Sequence, residues 1–120
     1  MKGANAEHLS AEAAETAVAR LREMSADLRG CALLAPDGRV LAATGDRGRW
    51  QAAASELLAA ADEAGDTPAG HVHVATEDGE AFAVREGGLA MVAVTDRFTL
   101  ASLMIFDMRA VLRDLAREEG

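Results

Sequence analysis

Residues 30 to 44 read Gly30-Cys-Ala-Leu-Leu-Ala-Pro-Asp-Gly-Arg-Val-Leu-Ala-Ala-Thr44. Two short apolar runs flank Pro36-Asp37-Gly38-Arg39. Proline presets φ at the second position of a tight turn, Asp37 tolerates the next, and Gly38 accepts a positive φ without a Cβ clash. The spacing predicts a hairpin with strands over residues 31–35 and 40–44. Leu33 and Leu34, and Val40 and Leu41, make both faces of both strands apolar. A strand buried on both sides needs cover on both sides, so this hairpin is expected in a sheet with helices above and below.

Upstream, residues 1–9 are polar and small, and a frayed N-terminus is expected there. Ser10 is placed to cap a helix, with Glu12 and Glu15 in its first turns. Ala14, Ala17, Val18, Leu21, Met24 and Leu28 keep three-four spacing, which predicts about five turns stopped by Gly30. Downstream, residues 45–48 form a loop and residues 49–64 a second helix, ended by Gly65. Its stripe is Trp50, Ala53, Ala54, Leu57, Leu58 and Ala61, with alanine runs at 52–54 and 59–61 that let another helix approach closely.

Residues 66–70 make a loop. Residues 71–76 alternate, with Val72 and Val74 on one face and His71, His73 and Ala75 on the other. Residues 80–86 alternate again, with Phe82 and Val84 on one side. Gly87-Gly88 turns the chain into an apolar strand at residues 89–95, expected at the sheet centre. Asp96 or Thr99 caps a last helix with the stripe Leu100, Leu103, Met104, Met108, Val111, Leu112 and Leu115. The apolar run at 103–106 predicts cover on more than one side. Asp107 falls within the stripe's range and needs a partner or a place at its edge.

The fold class is therefore α/β (α+β), a three-layer sandwich with the order helix-strand-strand-helix-strand-strand-strand-helix, and residues 10–120 form one domain. A helix is ~10 Å wide and five strands span ~20–24 Å. First and last helices can share one face; the middle helix alone cannot cover the other. Two copies solve this by laying their middle helices side by side over a joined sheet.

Half the residues are hydrophobic but only 3% are aromatic, and the net charge is −8. The core must be built from Ala, Val, Leu and Met. Such an acidic chain argues against a phosphate-binding surface and so against nucleic acid. The single cysteine excludes an internal disulfide and fits a reducing cytoplasm. No apolar run approaches the ~20 residues that span a bilayer.

The element order and the segment 30–44 resemble the Roadblock/LC7 family, whose members carry a similar Gly-x-Ala-Leu-Leu-x-x-Asp-Gly-x-Val-Leu-Ala stretch after their first helix. Residues 88–95 followed by 103–115 are similar to the family's last strand and final helix. The resemblance implies a five-stranded antiparallel sheet of profilin-like architecture. It implies a homodimer or heterodimer in which third strands pair antiparallel and middle helices pack together. It also implies work with a Ras-like small GTPase, either speeding hydrolysis by reshaping the GTPase's own site or scaffolding it. The family has no shared catalytic motif, so no catalytic, cofactor or metal residue carries over.

Candidate dimer-interface residues are Trp50, Ala54, Leu57, Leu58, Ala61, Val72, His73 and Val74. Arg47 and Arg49 are candidate partner contacts. His71 and His73 could offer two metal ligands, but no third is evident nearby; as edge-strand histidines they sit at or near the dimer seam. Cys31 lacks the base and orienting group a nucleophile needs and reads as a small core residue. Trp50 reads equally as an interface anchor or a core contact. An alternative function for the same layered shape is a small-molecule or signal-sensing domain of PAS or profilin type, which would need an internal cavity.

Overall fold

A computed structural model describes residues 10–63, 70–75 and 77–119. Three helices and five strands follow in the order α1 (Ala11–Met24), β1 (Leu28–Leu34), β2 (Val40–Ala43), α2 (Arg47–Glu63), β3 (His71–Ala75), β4 (Glu80–Glu86), β5 (Leu89–Thr95) and α3 (Ala101–Glu119). The sheet order is β2-β1-β5-β4-β3, and all four neighbouring pairs are antiparallel. The expected frayed segment 1–9, most of the loop 66–70 and the strand end at Thr76 lie outside the described residues.

The hairpin at 36–39 forms as its chemistry requires. Gly38 has φ 90°, the Gly38 N–H donates to Ala35 O at 2.9 Å, and Asp37 Oδ1 accepts the Arg39 N–H at 3.0 Å. Alternate residues of β1 then face opposite layers. Cys31 and Leu33 join Phe82, Val84, Met91 and the buried stripes of α1 and α3. Ala32 and Leu34 join Val40, Ala83, Val92 and Ala54 beneath α2. α1 and α3 thus share one face and α2 has the other.

Two expectations need correction. The first helix ends at Met24, not near Leu28; Ser25 is already extended, at φ −121° and ψ 111°. Leu28 instead opens β1 and pairs with Thr95. The period-two pattern from Leu28 onward wins because β1 lies between two partner strands and can satisfy both sides of its backbone. Gly30 therefore does not stop a helix. It lies inside the strand, where a Cβ would sit 2.9 Å from Thr44 Oγ1 and 3.1 Å from the Trp50 ring.

The second correction concerns α3. Met104, Met108, Val111, Leu112 and Leu115 are buried, but Leu100, Leu103 and Phe106 are 66, 53 and 67% exposed. The apolar all-round run is covered on one side only, because α1 and the sheet occupy a single flank of the helix. Asp107 sits at the stripe's edge, half-buried, and partial desolvation raises its carboxyl above the usual range.

Candidate interaction surface

The chemistry-bearing residues gather around α2 and the edge strand β3. Asp46 caps α2 by accepting the Gly48 N–H at 2.8 Å, which starts the helix two residues before the sequence pattern indicates. One turn later the Trp50 Nε1–H donates to Thr44 O at 2.7 Å. The indole is thereby pinned to the end of β2, with part of its ring still accessible. Beside it a depression of about 350 Å³ is lined by Thr44, Asp46, Arg49, Trp50, Ala53 and Val94. Arg49 is exposed there, whereas Arg47 reaches back to Glu15 at 3.5 Å.

Along α2, Ala54 is wholly buried against its own sheet and offers no side-chain area to another chain. Leu57 and Leu58 are half-buried against the same cluster. The side chain of Ala61 lies outside the described residues. On β3, Val72 is half-buried under this layer and Val74 is 39% exposed. The apolar cover thus thins from β2 toward β3, and among the described residues β3 pairs only with β4.

His73 points to the opposite layer. Its ring stacks on Phe82 at 4.4 Å between centroids, and its Nε2 hydrogen-bonds Glu80 Oε1. The other oxygen, Glu80 Oε2, accepts the Thr99 N–H at 3.1 Å. The His73 contact above all, helped by the Phe98 and Thr99 backbone N–H groups, outweighs burial and holds the Glu80 carboxyl below the usual range. The role of Glu80 escapes a motif search. Its one signal is parity: it shares the face of Phe82 and Val84, so a charge begins an apolar stripe.

His71 and His73 do not converge on one point. His71 Nδ1 accepts from Arg109 Nη2 at 3.1 Å, while His73 is held by Glu80. Among the described residues no three His, Cys, Asp or Glu side chains are grouped to hold a metal ion. Cys31 is buried, its thiol pushed up to about 11 by burial and only partly offset by Arg22. Such a thiol is a poor nucleophile. No helix among the described residues is long and apolar enough to cross a membrane.

No family model matches the chain, and no curated protein matches it in sequence. Solved structures do match it in shape. A Roadblock/LC7 domain from Streptomyces avermitilis superposes with a TM-score of 0.75 at 18% identity, over 87% of this chain and 95% of that one. MglB of Myxococcus xanthus gives 0.73 at 14% identity, over 90% and 88%. A Schizosaccharomyces pombe profilin gives 0.63 at 13% identity, over 89% and 99%. The fold is the Roadblock/LC7 sandwich, which profilin shares.

Proposed function

We propose that this Roadblock/LC7 sandwich is a non-catalytic, dimeric regulator that binds a Ras-like small GTPase and alters its GTP hydrolysis or its localisation. One observation carries the reading: the α2-side layer of the sheet is sealed over β2 and β1 and thins toward β3, where Val74 is 39% exposed on an edge strand. An edge with unpaired backbone groups and an apolar flank is a template for another strand. A two-fold axis beside β3 pairs it with its twin and sets two α2 helices next to each other. Trp50, Leu57, Leu58, Ala61, Val72, His73 and Val74 then line the seam, with Ala54 supporting α2 from beneath.

Arg47 and Arg49, at the start of α2, sit at the rim of that platform, where an acidic patch of the GTPase can meet them. The GTPase supplies the chemistry; the platform changes the shape of its site. The free buried thiol of Cys31 suits work in the cytoplasm. The test joins sedimentation with a turnover assay. The chain is expected to sediment as a dimer at micromolar concentration, to retain a GTP-loaded Ras-like GTPase and to change its hydrolysis rate. A monomer that leaves every such GTPase unbound overturns the reading.

A further inference from the structure

The turn between β5 and α3 carries an unusual residue. Phe98 has φ 65° and is 86% exposed. A bulky side chain in the left-handed region is strained and persists only when its surroundings hold it. The neighbouring peptide is anchored by Glu80, whose Oε2 accepts the Thr99 N–H at 3.1 Å. The Arg97 guanidinium lies 4.8 Å over the Phe98 ring. The strained turn leaves an aromatic ring facing solvent.

Further exposed apolar side chains follow in sequence, at Leu100 and along α3. Leu100, Leu103 and Phe106 follow on successive turns, each more than half exposed. Then the chemistry changes. Arg109, Arg113 and Arg117 recur every fourth residue, which stacks them on one face of the helix. A groove of about 600 Å³ runs past Ile105, Phe106, Arg109, Arg113 and Arg117. Arg113 pairs with Glu86 and Arg117 with Asp114 across exposed contacts, which solvent-facing partners readily exchange. Asp114 also faces Arg20 of α1. In a chain of net charge −8, an arginine file beginning where an apolar patch ends is a directional signature.

We propose that the outer face of α3, from Phe98 to Arg117, is a docking surface for an amphipathic acidic helix of another protein. Its apolar side chains cover Phe98, Leu103 and Phe106, and its carboxylates meet Arg109, Arg113 and Arg117. Charge complementarity selects this occupant: a single helix covers only the arginine file, whereas an anionic bilayer is wide enough to face the acidic remainder of the molecule as well, which repels it. Helix α3 lies across the sheet from α2, and its groove ends at His71 of β3, beside the proposed seam.

The experiment uses the full chain and fluorescein-labelled helical peptides with leucines at i, i+3, i+4 and i+7. One set carries glutamate at the remaining positions and the other lysine. Anisotropy at about 150 mM salt, where the Debye length is ~8 Å, suppresses long-range repulsion. The glutamate peptides are expected to bind and the lysine peptides not. Phe106→Ser and Arg113→Glu, both at exposed positions, are each expected to weaken binding about tenfold or more, a loss of ~1.4 kcal/mol. Failure of all glutamate peptides, equal binding of both sets, or indifference to both substitutions overturns the proposal. So does Phe106-dependent binding to phosphatidylserine vesicles in place of the peptides, or a higher oligomer that Phe106→Ser dissolves, since each names another occupant.

Discussion

Glu80 joins β3 to the entry of α3: one carboxylate oxygen holds His73 Nε2, and the other takes the Thr99 N–H at 3.1 Å. The strand at the sheet's rim and the turn bearing Phe98 are therefore fastened by a single side chain. Because the folded-state carboxyl is held below its ordinary range, its charge stabilises the fold above that range. This contribution fades as the pH falls through the lowered value. Glu80→Gln is expected to lower Tm at neutral pH and to flatten the loss of Tm between about pH 5 and 3, around the ordinary glutamate range. Calorimetry across that interval decides; parallel wild-type and mutant curves would contradict the assignment.

Gly30→Ala tests close packing within β1. The added Cβ would press on Thr44 Oγ1 and on the Trp50 ring, and neither neighbour is free to yield. Thr44 Oγ1 accepts the Cys31 N–H at 3.0 Å, and the indole is tied to Thr44 O. A cost of about 1–3 kcal/mol is expected, seen as a lower urea midpoint with an unchanged slope.

Val74→Lys and Leu57→Asp probe the proposed seam from two sides. Val74 is 39% exposed, and an edge lysine discourages strand pairing without disturbing the single chain. A dimer dissociation constant raised about tenfold or more, with Tm of the isolated chain retained, is the expected result. Leu57→Asp would bury an unpaired charge in the dimer, at a cost of about 3–5 kcal/mol. Sedimentation showing both variants fully dimeric at micromolar concentration would move the seam elsewhere.

Cys31 is expected to resist a thiol reagent at pH 8 while the chain is folded, since burial pushes its thiol up to about 11. In urea it should react at the rate of an ordinary cysteine, with a value near ~8.5. Rapid labelling of the native chain would mean that β1 opens readily.

Most of the fold is legible in local chemistry. The Pro36–Gly38 turn, the Gly87-Gly88 turn and the alternation of residues 80–86 each fix one element with little help from the rest. The register of Leu28 is not legible, since three-four and two-fold spacing overlap there and only the presence of β5 decides between them. The exposure of Phe106 is equally hidden: periodicity counts apolar residues but does not say how many neighbours a helix will have. Glu80 matters through contacts with His73 and Thr99, which no spacing rule brings together. The sequence places Val72 and His73 on opposite faces of β3, and the structure keeps them there.

The sheet order also governs how the molecule can be assembled on the ribosome. Leu28 to Leu34 take their inner partner from Thr95 to Ala90, so the first hairpin emerges long before the strand that completes its ladder. A nascent chain halted before residue 89 has half of β1's backbone groups unmet and its apolar side chains uncovered. Pairings so distant in sequence are slow to close. Productive folding must wait until most of the polypeptide has left the exit tunnel, and a truncated product is a substrate for chaperones and proteases.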